Sequence, residues 1–437
     1  MLKNEFLAQM RDLLGDRMDE YLKAMEMKPV RGFRVNTLKT NESFLRKELD
    51  FEWVRNPYAS NSWILPDDVK LYELPAYTAG LFYVQETSAS AAVEILDPKP
   101  GSRVLDLCAA PGSKSTQIAE RMGQDGFLVC NEYESSRAMI LAENLEKHGA
   151  ANTCIINCDT RDAASAFPEY FDYVLCDAPC SGEGMFRKNP EACDEWSPEN
   201  VNACARRQLM ILNNAYETLK PGGILVYSTC TLNEIENENT VIDFLSAHSD
   251  MKIDPIPDVY PHTLKSRKLD GVLRILPSEY GEGHFVCRMK KDGEGSIQEL
   301  KQMKSEKIDS TVMQFLKEQL DQPYRYLYSR NGRIYGSDLP FAAVNPCRLV
   351  RFGVLLGEVK GSRFEPDHGF YASAAHSFRK VYDLSNEQLV QYIHGETLTI
   401  PLDKGWYGVA YKGHVFAGGR SDGRMLKNKY PKRLRRR

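Results

Sequence analysis

At 437 residues the chain is too long for one ordinary domain, and roughly two to four are expected. Hydrophobic residues at 42% and charged residues at 27% are the balance of a soluble globular protein, and no apolar run is long enough to cross a bilayer. The formal charge of −4 excludes a global basic excess, so any nucleic-acid surface must be a local patch.

Residues 1–14 mix Lys3, Glu5, Arg11 and Asp12 with Leu2, Phe6, Met10 and Leu13. That pattern predicts an amphipathic helix and not a signal peptide. A short strand with two arginines follows in Arg31-Gly-Phe-Arg-Val-Asn-Thr37, and Pro57, Pro66 and Pro75 mark irregular connections. Residues 1–75 therefore read as an α+β extension. A second unit, residues 76–290, starts with a strand at 82–85 and a helix at 86–96. Its central strand, 104–107, runs into a small-residue turn, Ala109 to Gly112, and a helix from Ser113. Strands at 127–132, 153–157, 173–177 and 224–227 alternate with helices at 135–148, 198–219 and 234–247. Two more strands, near 273–276 and 284–289, complete the sheet. This alternation predicts an open, mostly parallel α/β sheet with right-handed crossovers. Residues 291–308 read as a linker. Residues 309–383 read as a small α+β module with a β segment at 348–356, and 384–437 as a compact β-rich unit ending in a basic run.

The cysteine count of 11 is odd for a disulfide framework, and most cysteines lie between Cys108 and Cys287. Free thiols in a reducing compartment are expected, which points to the cytoplasm. The spacings of Cys154 with Cys158 and of Cys176 with Cys180 are unusual for zinc, so no metal is expected. Cys130, Cys154 and Cys176 sit in apolar runs and should be buried as small hydrophobes.

The turn after the central strand lacks both G-x-G-x-x-G and the Gly-Lys of a phosphate loop, because Ser113 separates Gly112 from Lys114. Its ligand should be a nucleoside without a pyrophosphate, and S-adenosylmethionine fits. Ligands of such sheets sit beyond the carboxyl ends of the strands. The expected lining is Asp106 with Cys108, Ala109, Ala110, Pro111, Gly112, Ser113 and Lys114. Acidic residues also end successive strands: Asp106, Glu132, Asp159 and Asp177. Glu132 suits the ribose hydroxyls and Asp159 the adenine amine. Arg137, one turn past Glu132, suits a carboxylate or a further cofactor contact. Two cysteines, Cys180 and Cys230, stand just past adjacent strands beside Asp177. That placement suggests covalent catalysis, without deciding which thiol attacks.

Asp106-Leu-Cys-Ala-Ala-Pro-Gly-Ser-Lys114, Asp177-Ala-Pro-Cys-Ser-Gly-Glu-Gly184 and Ser228-Thr-Cys230 resemble the RNA 5-methylcytosine methyltransferases of the Nop/Sun family. Arg31 to Thr37 and Tyr83-Val-Gln-Glu86 resemble that family's N-terminal RNA-binding extension, so the likeness covers residues 1–290. Leu426-Lys-Asn-Lys-Tyr-Pro-Lys432 is similar to the PUA-like RNA-binding module of the RsmF type, which modifies small-subunit ribosomal RNA. One departure is Ser113, where the family usually has Gly.

The resemblance implies a Rossmann-like class I methyltransferase sheet, S-adenosylmethionine as cofactor, and Cys230 as nucleophile with Cys180 assisting release. A thiolate adding to carbon 6 of cytosine makes carbon 5 nucleophilic. Asp177 is the candidate to protonate or hydrogen-bond ring nitrogen 3, provided its site keeps a proton on it or lets it share one. Lys114 is expected to lower a thiol pKa or to touch RNA phosphate. A flipped or unpaired base needs stacking groups, for which Phe186, Arg187, Lys188 and Trp196 are candidates. The cations Arg420, Arg424, Lys427, Lys429, Lys432, Arg433, Arg435, Arg436 and Arg437 are candidates for phosphate contacts. The expected partner is small-subunit ribosomal RNA or the subunit particle, with the protein a monomer. The rivals are a transfer-RNA methyltransferase and a non-catalytic assembly factor. Retention of both thiols argues against the latter.

Overall fold

Phe6, Met10, Leu13 and Leu14 share one face of the first helix, Asn4–Leu14. With Tyr21 from a second helix, Met18–Glu26, they pack on Phe186, Trp196, Leu232 and Leu276 of the second unit. The structure is a computed structural model and describes residues 2–295 and 299–435. The first helix is the expected one; the second was not anticipated.

An antiparallel sheet follows, formed by β1 (Arg31–Val35), β2 (Val54–Arg55), β3 (Ser62–Leu65) and β4 (Phe82–Gln85) in the order β2-β3-β1-β4. Phe33 of β1 pairs with Val84 of β4. The strand expected to open the second unit is thus hydrogen-bonded into the first, and a boundary at residue 75 would cut this sheet. Arg34 is buried and leaves the sheet to grip the helix Ser113–Met122. Its guanidinium donates to the Ser113 carbonyl at 3.0 Å and the Thr116 hydroxyl at 2.8 Å, and pairs with Glu120. This arginine of the expected RNA-binding extension ties two units together.

The large sheet holds β5 (Arg103–Asp106), β6 (Phe127–Asn131), β7 (Thr153–Asn157), β8 (Phe171–Asp177) and β9 (Leu219–Thr229), all parallel. Alongside β9 run the antiparallel β12 (His284–Lys291) and its partners β10 (Met251–Ile253) and β11 (Leu273–Ile275). These are the near-continuous apolar strands of a sheet covered on both faces. The helix Ser135–His148 falls where its periodicity predicts and closes on Gly149 at φ 85°, a left-handed position that suits glycine. The helix expected at 234–247 instead begins with one wide π-turn, Ile235–Asn239, before regular helix, Thr240–Ala247.

The module expected at 309–383 is not a separate body. β13 (Tyr326–Arg330), β14 (Arg333–Ser337), β16 (Val354–Lys360) and β17 (Arg363–Pro366) form their own antiparallel sheet. β15 (Arg348–Phe352) leaves it and pairs antiparallel with β7, from Arg348 opposite Asn157 to Phe352 opposite Cys154. The segment expected as one strand at 348–356 is therefore two strands in two sheets, turned at Gly353 with φ 64°. Phe352 stacks on Phe127 at 5.4 Å, and Tyr328 and Phe341 join the core of Leu105, Val129 and Val174. Cys347, just before β15, lies with its sulfur 2.7 Å from that of Cys158.

The last sheet runs β18 (Val381–Leu384), β20 (Gly405–Tyr411), β21 (His414–Ser421), β22 (Met425–Asn428) and β19 (Leu398–Thr399). Because β18 belongs to it, the division expected after residue 383 falls inside one of its strands. Tyr392, Val409 and Phe416 share a hydrophobic cluster with Phe33, Trp63 and Phe82, so this unit packs on the N-terminal sheet. Among the described residues no helix is long and apolar enough to cross a membrane.

Candidate active site

The carboxyl ends of β5 to β9 converge on a cavity of about 1030 Å³. From the turn after β5, Leu107, Cys108 and Ala110 line it. Ala109, Pro111, Gly112, Ser113 and Lys114, expected to line it too, are not among its walls; they build the turn. The Ala109 amide donates to the Asn131 carbonyl at 2.8 Å, and the Pro111 carbonyl accepts from Asn144 at 2.7 Å. Gly112 has φ 109° and lies against Leu141, and the Ser113 carbonyl accepts from Arg34. Asp106 is fully buried beneath the turn, accepting from the Ser115 hydroxyl at 2.6 Å, and burial pushes its carboxyl up to about 7.

Glu132 is on the wall. Its carboxylate accepts the Glu134 amide at 2.9 Å and the Ala110 amide at 3.3 Å. Arg137 lines the cavity as well, donating to the Ala110 carbonyl at 2.9 Å and standing 3.6 Å from Glu132. Asp159 caps the helix Thr160–Ala166 through the Arg161 amide at 2.9 Å and lines the far wall with Thr160 and Arg161. That short helix was not anticipated. The opposite wall comes from the helix Pro198–Thr218, through Arg207, Met210, Ile211, Asn213 and Asn214. Sequence reading missed this wall; Met210, exposed on an otherwise amphipathic helix, is the signal that could have found it.

At the β8 and β9 ends stand Asp177, Cys180 and Cys230. The two sulfurs are 3.3 Å apart. Asp177 accepts from Lys114 at 2.7 Å and from the Ser228 hydroxyl at 2.7 Å. Burial would raise this carboxyl, but the Lys114 ammonium, with the Ser228 hydroxyl, holds it below the usual carboxylate range. Asp177 is therefore ionised, and the transferable proton sits on Lys114, whose own pKa the same pair raises against the effect of burial. Of the two expected arrangements, a proton kept on Asp177 or one shared with a neighbour, the Lys114 hydrogen bond fits the second. The hydrogen bond to Cys230, together with burial, pushes the Cys180 thiol well up, so Cys180 stays protonated. His284, buried at the start of β12 and 3.9 Å from Asp177, was also missed. Burial and Lys114 push its ring down to about 4, leaving it neutral.

The expected base-stacking residues are elsewhere. Phe186 and Trp196 are buried against Phe6, at 5.0 and 5.5 Å between ring centres. Arg187 is buried in an ion pair with Glu282 and donates to the Ala24, Ser278 and Gly281 carbonyls. Lys188 alone of the four is exposed. In the C-terminal run, Arg433 pairs with Glu143 at 2.8 Å, Lys429 with Glu365 at 2.9 Å, and Lys427 faces Asp422 at 3.7 Å. Arg435 donates to the Tyr430 carbonyl, and Arg420 lies over the Trp406 ring. Part of this run is thus docked on acidic neighbours remote in sequence; Arg436 and Arg437 lie outside the described residues.

Residues 93–290 match the family described as 16S rRNA methyltransferase RsmB/F. Residues 2–87 match the N-terminal domain of 16S rRNA methyltransferase RsmF, and residues 379–436 match the methyltransferase RsmF PUA domain. The chain is 33% identical to ribosomal RNA small subunit methyltransferase F of Serratia proteamaculans, over 95% of this chain and 92% of that one. It is 32% identical to the protein of the same name from Aliivibrio fischeri, over 99% and 97%. A crystal structure of a methyltransferase homolog protein from Pyrococcus horikoshii superposes with a TM-score of 0.59 and 30% identity, covering 66% of this chain and 95% of that one.

Proposed function

The chain belongs to the S-adenosylmethionine-dependent RsmB/F family of rRNA methyltransferases, and from that premise we propose that it methylates carbon 5 of cytosine in 16S ribosomal RNA through a covalent cysteine adduct. The observation that carries this reading is the pair of thiols, Cys180 and Cys230, 3.3 Å apart on the rim of the cofactor-sized cavity. RNA binding alone requires neither thiol.

The cavity residues suit S-adenosylmethionine. Glu132 offers a buried carboxylate for ribose hydroxyls, Asp159 an exposed one for an amine, and Arg137 a cation for the amino-acid carboxylate. When bound, the cofactor supplies an electrophilic methyl group. By resemblance to the family Cys230 is the attacking sulfur, with the Cys180 sulfur 3.3 Å from it. Cys230 gives up its proton to solvent and forms a bond to carbon 6. As the ring loses aromaticity, nitrogen 3 becomes basic. It takes the Lys114 proton, relayed through Asp177 at 2.7 Å. Carbon 5 then carries the electron pair that bonds the methyl group. Solvent takes the carbon 5 proton, and the electrons of that bond re-form the carbon 5–carbon 6 double bond and expel Cys230 as a thiolate. The nitrogen 3 proton returns through Asp177 to Lys114, and Cys180, 3.3 Å from Cys230, assists that release. The base reaches these groups only if flipped out of any stack. The N-terminal and PUA-like units supply the RNA surface, and the reducing cytoplasm keeps the thiols free.

Bisulfite sequencing of ribosomal RNA from a strain lacking the gene tests the reading. Loss of one or more 5-methylcytosines from 16S rRNA is expected. An unchanged pattern overturns it, and a loss confined to transfer RNA redirects it to that substrate.

A further inference from the structure

Two buried carboxylates outside the cavity join the two cysteine loops reciprocally. Glu183, on the loop that carries Cys180, is fully buried. One of its oxygens accepts the Leu232 and Asn233 amides of the Cys230 loop, at 3.1 and 2.8 Å. The other accepts Trp196 Nε1 at 2.9 Å and Gln9 Nε2 at 2.8 Å. Glu236, just past the Cys230 loop, points the opposite way. It accepts the Ser181 amide at 3.0 Å and the Ser181 hydroxyl, both next to Cys180. It also takes Gln208 Nε2 and Asn233 Nδ2, each at 2.8 Å. A further bond joins the Gly184 amide to the Cys230 carbonyl at 3.0 Å.

Neither carboxylate touches a sulfur, and neither lines the cavity. Each has its acceptor sites taken by donors from both loops or from the elements that brace them. The wide turn Ile235–Asn239 is what aims Glu236 inward. The Tyr227 hydroxyl donates to the Glu236 carbonyl at 2.7 Å, and Asn237 is tied to Thr229 at 2.6 Å. Single wide turns inside helices recur at functional sites.

We propose that Glu183 and Glu236 are positioning residues that hold Cys180 and Cys230 in register for release of the product. This rests on the covalent reading above. A carboxylate suits the task because it accepts from up to four donors at once, whereas a glutamine in its place turns an amide NH2, itself a donor, toward some of those same donors.

The test uses disulfide trapping in the full-length protein. Diamide takes the two thiol hydrogens and is itself reduced, and mass spectrometry reads each bridge. The parent protein should form both the Cys180–Cys230 and Cys158–Cys347 bridges. In Glu236→Gln the first should form at least ten-fold more slowly and the second at the parent rate. kcat should fall about ten-fold or more, with KM for S-adenosylmethionine within about two-fold. Ser181→Ala, which deletes one donor and keeps the carboxylate, should slow the first bridge about three-fold, and it guards against a Glu236→Gln that fails to fold. Parent-like bridging and kcat in both variants overturn the proposal. Equal slowing of both bridges overturns it too, because that is general loosening. If the parent forms no adduct with RNA containing 5-fluorocytosine, the covalent reading fails, while the ratio of bridging rates still decides whether the latch exists.

Discussion

Lys114→Met removes the cation from the Lys114–Asp177 pair and keeps a side chain of similar length. In the parent that ammonium is 2.7 Å from the carboxylate, in a partly closed site. At that separation a unit charge is worth about 6 kcal/mol at an effective dielectric of about 20. Asp177, held low in the parent by that ammonium, should then titrate higher. A depressed carboxyl contributes above its unfolded range and loses its contribution as pH falls through the lowered value. The acidic limb of the kcat profile should therefore move to higher pH in the variant. At neutral pH kcat should fall about 100-fold, because the proton store is gone. The groups facing Asp177 include His284 and Ser228, and His284 is itself pushed down by burial and Lys114. Repeating the profile in a His284→Gln background separates the two titrations. An acidic limb that stays put, with kcat within two-fold, would refute both the ion pair and the proton relay.

Glu132→Ala should weaken S-adenosylmethionine by about 1–3 kcal/mol in calorimetry; unchanged affinity in a folded variant removes Glu132 from the site. Cys230→Ala should abolish both methyl transfer and RNA adducts, whereas Cys180→Ala should accumulate a denaturant-resistant adduct; the opposite pattern on gels reverses the two roles. Deleting residues 432–437 should weaken RNA binding at low salt and flatten the dependence of log affinity on log salt. Because Arg433 is already paired with Glu143, the slope should drop by less than the charge removed, and a drop equal to that charge would contradict the docking seen here.

The sequence was most legible where one residue type does one job. The parallel strands, the helix Ser135–His148 and the strand-end residues Glu132, Asp159, Asp177, Cys180 and Cys230 all follow from local pattern, and the structure gathers those five residues around one cavity. What failed was long-range. Phe186 and Trp196 look like free aromatics until the helix Asn4–Leu14 covers them. Arg187 looks like a base-stacking group until Glu282, remote in sequence, takes its charge. Of the turn residues from Pro111 to Lys114 none is on the cavity wall; Pro111, Gly112 and Ser113 shape the turn, and Lys114 reaches Asp177. Domain limits failed for the same reason, since β4 and β18 join sheets through partners that periodicity does not reveal.

The strand β15 has a consequence for how the protein is made. During synthesis the parallel strands from β5 to β9 emerge well before their last neighbour, and until then the outer side of β7 is a bare edge with unsatisfied amides and carbonyls. Closing it requires a pairing between segments far apart along the chain, which is slow relative to local helix formation. A nascent or truncated protein that stops before residue 352 presents a sticky apolar margin, with Phe127 lacking the ring that stacks on it. Such a fragment should aggregate or recruit chaperones, and soluble yield should rise once the chain extends past β15.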